Sequence, residues 1–416
     1  MAAPAMKVAD DRLATLPDPQ GQGWLVDARR DALDRLRAVG LPGRRDEYWR
    51  YTDPRPFTAP EPRVDGRPDD DVDLDLGDAF LIEVGPHGIA WDTGAVPEGL
   101  EIDTLSRAGE IDIHWARDLY GTLEAAGSRP VSRPLGMLTT AAATDGVLLR
   151  AFGVVDRRVH VTYAPQADAV LHHVVRVEAD AAVTIVETGN PGARHDTAWE
   201  CDVADAGALH HVRIQGRTPG CHANTHVFAR LGAGSILRSF TLSAGGDLTR
   251  NEATIDVTGD DASATIGGAA FGEGAFHHDD TVFVTHGALN GESRQVFKKV
   301  LRSGATGVFQ GKILVKEGAQ KTDGYQISQS LLLDDDAVFL AKPELEIYAD
   351  DVACSHGSTT GAIDETALFY LRSRGVPHDQ AVTLLVLSFL AEAVDEIEDE
   401  ALRAAVTDLM AEWLRG

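Results

Sequence analysis

The chain has 416 residues and a formal net charge of −27, because 38 lysines and arginines stand against 65 aspartates and glutamates. This length is enough for two or three domains with a sizeable core. The acidity argues against nucleic acid as a partner, since phosphate binding needs a basic surface. A protein partner with basic surface patches is compatible with this negative charge.

The cysteines are Cys201, Cys221 and Cys354, with no CxxC pair. Their number and spacing suit a reducing compartment and predict neither a disulfide framework nor a self-contained zinc or iron–sulfur site. The N-terminus lacks a basic start followed by an apolar run, and no apolar stretch approaches the roughly 20 residues that span a bilayer. We therefore expect a soluble, cytoplasmic protein.

The first predicted domain, residues 1–135, is helical or mixed. Apolar residues recur at helical spacing from Trp24 to Leu36, and Gly40 follows as a C-cap, which predicts a helix. Residues 54–75 are rich in proline and aspartate and read as a surface linker. A strand near residues 79–84 and a helical piece near 114–126 complete this domain.

Between the helix and the linker lies LPGRRDEYWRYTD, residues 41–53, which is unusually rich in aromatic and charged side chains. The simplest interpretation is that Tyr48, Trp49 and Tyr51 anchor the N-terminal region on the core.

The second predicted domain, residues 136–357, is mainly β. Roughly fifteen short runs of β-type residues are separated by turn residues, with no amphipathic helix between them, which excludes a doubly wound fold. The turn glycines obey no strict period, so a regular hexapeptide helix is excluded as well. A sandwich, a closed barrel and an irregular solenoid remain. A solenoid would expose its final coil, to which another subunit could join edge to edge.

The third predicted domain, residues 358–416, is helical. Asp364 is a plausible N-cap of a helix that ends at Gly375, and Pro377 opens the next helix. A third helix carries apolar residues at helical spacing: Leu402, Val406, Leu409 and Trp413. The bundle would cap the solenoid or dock a partner.

Cys354 and His356 are two residues apart, so an extended backbone places both on one face. A thiolate beside an imidazole can attack an electrophile or bind a soft metal. The structural alternative is a buried cysteine with a hydrogen-bonded histidine, and no family-specific nucleophile signature surrounds Cys354. The open functions include a cysteine-dependent transferase or hydrolase and a homodimeric solenoid that only binds other proteins.

Two other clusters contain residue types that carry chemistry. Alternation in FHHDD, residues 276–280, would place His278 and Asp280 on one face and His277 and Asp279 on the other, which is short of a full metal site. The structural alternative is a turn with surface histidines. The second cluster consists of Gln310, Lys312, Lys316, Gln320 and Lys321. It is either a strand edge that lysines protect from aggregation or a charged path along the solenoid interior.

Residues 307–375 contain VFQGKILVKEGAQKTDGYQISQSLLL, KPELEIYADDVACSHGSTTGAIDE and LFYLRSRG. Together with LPGRRDEYWRYTD, these segments resemble the SufB/SufD family, which scaffolds iron–sulfur cluster assembly in the SUF system. The short chain, the DDVACSHG form of the motif and the lack of an N-terminal CxxC cluster resemble the SufD-type members more than the SufB type.

This resemblance implies an irregular right-handed parallel β-helix between an N-terminal mixed domain and a C-terminal helical domain. It implies a scaffold without turnover of its own, in a complex with SufB and the ATPase SufC, which carries the ATP. SufC would bind the C-terminal helical region, which carries Phe369, Tyr370, Arg372 and Arg374. When isolated, the chain could form a homodimer.

By the same resemblance, His356, with Cys354 beside it, is offered to a nascent iron–sulfur cluster at the SufB–SufD junction. No metal or cofactor is expected within the isolated chain. One thiol and one imidazole cannot hold a cluster that needs about four ligands, so a second chain would supply the others.

Overall fold

The computed structural model describes residues 11–62, 72, 74–164, 166–190, 192–216 and 219–415. The helices in these ranges are α1 Arg12–Thr15, α2 Gly23–Val39, α3 Arg55–Thr58, α4 Leu105–Ala108, α5 Thr122–Gly127, α6 Pro134–Ala142, α7 Glu365–Ser373, α8 His378–Val394 and α9 Glu400–Arg415. Short 3-10 helices cover Glu47–Trp49 and Trp115–Asp118.

The strands of the first half are β1 Phe80–Gly85, β2 Gly88–Trp91, β3 Leu100–Thr104, β4 Val147–Ala151, β5 Val159–Tyr163, β6 Gln166–Val177, β7 Ala182–Thr188, β8 Gly192–Val203 and β9 Ala208–Gln215. Those of the second half are β10 His222–Leu231, β11 Ile236–Ala244, β12 Leu248–Val257, β13 Ser263–Glu273, β14 His277–His286, β15 Glu292–Arg302, β16 Thr306–Val315, β17 Asp323–Leu332, β18 Val338–Ile347 and β19 Ala353–Gly361.

From β4 onward, successive strands alternate between two parallel sheets. Sheet A has the order β19-β17-β15-β13-β11-β9-β7-β5-β1-β2, and sheet B has the order β18-β16-β14-β12-β10-β8-β6-β4-β3. Each coil therefore adds one strand to each sheet, and equivalent residues of the last two coils, such as Ser328 and Ser358, are 30 residues apart. This is the parallel β-solenoid that was predicted, and the sandwich and the barrel are excluded.

The coils are linked by a repeated turn in which one residue has a positive φ. The backbone N–H of that residue donates to a carbonyl of the next coil, for example Asp261 to Leu289 and Lys321 to Asp351. Only one of the six stacked positions is a glycine; the residues are Asp180, Ala206, Gly234, Asp261, Asn290 and Lys321. The period therefore exists in the backbone but not in the glycines: Asp and Asn tolerate this conformation, and Ala206 and Lys321 adopt it as well.

The space between the two sheets is filled mainly by apolar side chains. This core includes Val175, Cys201 and Ile255 from sheet B and Ile185 and Leu237 from sheet A. Because strand side chains alternate, every second residue faces this interior and the others face outward.

The outward faces of both sheets are also covered. The N-terminal helices pack on sheet B, where Leu138, Val174 and Phe228 belong to one buried cluster. The C-terminal bundle packs on sheet A through α8 and α9, which share a buried cluster with Phe240 and Val296, and α7 packs against α8. The bundle therefore lies along the side of the solenoid and does not cap its end.

Most predicted helix boundaries agree with the structure. Gly40 ends α2 with a positive φ, and the Asp364 side chain accepts hydrogen bonds from Thr366 and Ala367 at the start of α7. The surface-linker prediction is wrong for Phe57 of α3 and for Leu74, which are buried, whereas Arg55, Pro60, Glu61 and Asp75 are exposed. Residues 63–71 and 73 of that predicted linker lie outside the described residues.

Candidate functional site

The two ends of the solenoid differ. At the first coils, the sheets end in β2 and β3, which run antiparallel to their neighbours β1 and β4. At the last coil, β19 pairs with β17 and β18 pairs with β16, and neither has a second strand neighbour in the described ranges. The peptide groups along the outer sides of β18 and β19 are therefore available to pair with another chain.

Cys354 and His356 lie on β19, at this open end. The strand pairs in register with β17, so that Cys354 lies beside Gly324 and His356 beside Gln326. Both side chains are on the inward face of the strand. Cys354 is half-buried among the apolar side chains of Ile313, Leu345 and Val352. His356 is exposed, and no hydrogen bond or ion pair involves its side chain in the described part of the chain.

The Cys354 thiol is not activated by its surroundings. Burial raises its pKa, the nearby Asp323 carboxylate adds to this, and the Gly324 backbone N–H opposes it. No hydrogen bond joins the thiol to His356 among the described residues. The thiol is therefore largely protonated at neutral pH, which does not favour a stand-alone nucleophile.

The N-terminal segment that contains Tyr48 and Trp49 covers the outward face of sheet B near the open end. The Tyr48 hydroxyl donates to Glu344 of β18 at 2.8 Å, and Lys342 pairs with Glu47 at 2.7 Å. Trp49 is buried, and the Arg250 guanidinium lies 4.1 Å from the centre of its ring. The predicted anchoring of this segment is confirmed for Tyr48 and Trp49, whereas Tyr51 is only half-buried.

The FHHDD cluster lies on a buried strand and not in a surface turn. His278 and Asp280 face the interior, where Lys299 lies 2.8 Å from the His278 ring and 2.6 Å from Asp280. His277 and Asp279 face outward against Thr52 of the N-terminal segment. The predicted division between two faces is correct, but the surface-turn alternative is wrong. The nearby His286 is also buried and bonds Ser293 at 2.8 Å.

The cluster from Gln310 to Lys321 does not form a path through the interior. Gln310 faces outward and donates to the Tyr48 carbonyl at 3.0 Å. Lys312 also faces outward and pairs with Glu346, while Lys321 pairs with Asp351 in a turn. The interior-path alternative is therefore wrong, because these side chains lie on the outer face of β16 or in a turn.

Sequence reasoning missed the polar groups that do lie inside the solenoid. Glu187 is fully buried and accepts from His211 at 2.6 Å and from Tyr163. Burial by itself would raise the pKa of this carboxyl, but the His211 hydrogen bond and the nearby Arg213 cation together lower it. Gln295 and Gln326 are also fully buried in the interior. Strand register aligns these buried polar residues, and register cannot be derived from the sequence alone.

The remaining cysteines, Cys201 and Cys221, are buried. Cys201 is buried in the apolar interior, which raises its pKa, and the Cys221 thiol lies 3.3 Å from the Gly192 carbonyl. Within the ranges that the structure describes, no three histidine, cysteine, aspartate or glutamate side chains are arranged to hold a metal ion. Nor does any described helix combine the length and apolar character that crossing a bilayer requires.

The first C-terminal helix, α7, follows β19 after a short turn and presents aromatic side chains to solvent. Phe369 is 74% exposed and Tyr370 is 56% exposed. Arg372 and Arg374 are exposed on the same helix and its end, and Arg374 donates to the Tyr370 hydroxyl at 3.1 Å. Exposed aromatic and arginine side chains of this kind are common at the centres of protein interfaces.

Comparison with known proteins agrees with this architecture. The family model described as SUF system FeS cluster assembly, SufBD core domain, matches residues 160–389, which is more than half of the chain. The iron–sulfur cluster assembly protein SufD of Escherichia coli is 28% identical over 92% of this chain and 92% of its own length.

Two further relatives cover less of the chain. The SufBD family protein Rv1462 of Mycobacterium tuberculosis is 31% identical over 57% of this chain and 62% of its own length. The SufD protein of Bacillus subtilis is 27% identical over 62% of this chain and 61% of its own length.

Proposed function

The chain belongs to the SufB/SufD family of the SUF iron–sulfur cluster assembly system, is most like SufD, and on that premise we propose that it is a non-catalytic scaffold subunit. In this role it pairs its open solenoid end with a SufB chain. It offers His356, with Cys354 beside it, to a nascent cluster that the two chains share. The cluster is the cargo of this assembly and not a resident cofactor.

One observation carries the proposal: the exposed, unbonded His356 side chain stands on the last strand, whose outer edge has no strand neighbour in the described chain. A residue at this position is accessible to a second chain that extends the sheet. One imidazole and one thiol leave a cluster of about four ligands incomplete, so the partner must supply the others.

The ATPase subunit SufC would bind at α7. Phe369 and Tyr370 offer exposed aromatic area, and Arg372 and Arg374 offer positive charge in a strongly acidic chain. Because α7 follows β19 directly, a movement of the ATPase would act close to the open end.

The test is a His356→Ala variant assembled with SufB and SufC chains. We expect the complex to keep its mass and to lose cluster formation, because the substitution removes a ligand without touching the backbone edge. His87→Ala is the matched control, since His87 is an exposed histidine in the turn between β1 and β2, at the opposite end of the solenoid. Normal cluster formation by the His356 variant would contradict the proposed site.

A further inference from the structure

The residue that lies directly beneath His356 is Gln326, on the neighbouring strand β17. The two strands are parallel and in register, and Gln326 pairs with His356 while Gln295 of β15 pairs with Gln326. Adjacent strands are about 4.8 Å apart. The three side chains therefore form one inward-facing row that leads from the interior to the open end.

Gln326 has unused hydrogen-bonding capacity. It is fully buried, yet neither its Oε1 nor its Nε2 has a hydrogen-bond partner in the described part of the chain. A buried polar atom without a partner costs roughly 1–3 kcal/mol. Such an atom in a folded protein calls for an explanation, and one explanation is a partner that is supplied in the working state of the molecule.

The space for this amide is created by a glycine on the opposite sheet. A Cβ added to Gly311 of β16 would lie 1.4 Å from the Gln326 Nε2 atom. The Gln326 side chain thus extends across the interior and occupies the space that any other residue at position 311 would fill.

The other inward residues of β17 cannot serve His356 in the same way. Gly324, beside Cys354, has no side chain. Ser328 donates to Ser358 at 3.2 Å and is already engaged. Of these residues next to β19, only Gln326 combines a free acceptor with a position beneath His356.

A histidine that binds a metal through one ring nitrogen usually donates the N–H of the other to a carbonyl or carboxylate oxygen, which fixes its tautomer. We propose that Gln326 is the positioning residue for His356: its Oε1 accepts the imidazole N–H and leaves the other ring nitrogen free to bind the cluster. This inference rests on the proposed role of His356.

The first readout is the tautomer of His356 in the isolated full chain, measured by nitrogen-15 NMR at a pH where the ring is neutral. We expect one tautomer to dominate in the wild-type chain. Gln326→Leu should shift the ratio toward that of free histidine, because leucine keeps the bulk but has no acceptor. Gln326→Glu should restore the preference, because it keeps an acceptor oxygen at the same position.

Two further variants separate positioning from packing. Gly311→Ala should shift the tautomer ratio as Gln326→Leu does, because the new methyl group displaces the amide. Gln295→Leu is the matched control: Gln295 has the same burial and the same unpartnered amide but lies one coil further from His356. An unchanged ratio in Gln326→Leu, or an equal shift in Gln295→Leu, would overturn the proposal.

The second readout is cluster formation by the assembled complex. Loss of the orienting bond should reduce it by about 10-fold or more in Gln326→Leu, with recovery in Gln326→Glu. If His356→Ala forms clusters normally, the proposed function itself fails. If His356→Ala is inactive but Gln326→Leu is as active as wild type, only the positioning role is wrong.

Discussion

Buried neutral histidines give the interior of the solenoid a defined response to acid. Burial lowers the pKa of His173 to about 3 from its ordinary value of 6.5. It lowers the pKa of His195 to the same value, helped by the Arg213 cation, whose Nη2 lies 3.2 Å from the His195 ring. Both rings therefore stay neutral in the folded protein until the pH approaches 3.

The sign of the effect follows from proton linkage. Below pH 6.5 the unfolded chain protonates these histidines and the folded chain does not, so the free energy of unfolding falls as the pH falls toward 3. At pH 5 each histidine lowers the free energy of unfolding by up to about 2 kcal/mol relative to neutral pH. We expect the urea midpoint to be clearly lower at about pH 5 than at about pH 7.5.

The variant that isolates this effect is His195→Gln, which keeps a hydrogen-bond acceptor for Arg213 but does not titrate. Its urea midpoint should depend less on pH than that of the wild type, whereas His87→Gln, at an exposed site, should behave like the wild type. A midpoint that stays constant from about pH 7.5 to about pH 5 in the wild type would contradict the account.

At the scale of single elements, α7 exposes the aromatic and arginine side chains that we propose bind a partner. Replacing Phe369 and Tyr370 together by alanine should weaken binding to the ATPase subunit by more than about 30-fold, as loss of a central aromatic anchor typically does. Alanine favours helix, so α7 itself should persist.

Isothermal titration of the purified chains measures this directly. Leu384→Ala is the control, because Leu384 is an exposed apolar residue (49%) on the neighbouring helix α8. An affinity that is unchanged in the double variant would show that the ATPase binds elsewhere.

Much of the element order was predictable from sequence. Helix caps such as Gly40 and Asp364 are local signals, and they were found because the backbone at those positions depends on neighbouring residues alone. Alternation also divided the FHHDD cluster correctly between two faces. These features depend on short-range geometry.

What could not be predicted is which face of each strand lies inside. In most half-exposed sheets the polar face marks the solvent side. Here helices cover the outer faces of both sheets, so Gln310 on the outer face and Gln326 on the inner face are equally buried. Their roles became distinct only when the register and the overlying segments were known.

On the scale of the whole molecule, the two ends of the solenoid are built differently. The first coils end in the antiparallel strands β2 and β3, while the last coil ends in the parallel strands β18 and β19, whose outer edges have no strand neighbour within the described chain. The helical domains lie along the sides, on the outer faces of sheets A and B. This arrangement leaves the last coil free to continue into a second solenoid.

The most direct measurement is pulsed electron paramagnetic resonance on the assembled complex, with nitrogen-15 histidine only in this chain and the cluster in a paramagnetic state. If the two chains share the cluster through His356, the spectrum should contain a nitrogen-15 coupling from this chain that disappears in His356→Ala and persists in His87→Ala. A cluster without any nitrogen-15 coupling, or a coupling that survives in the His356 variant, would contradict the shared site.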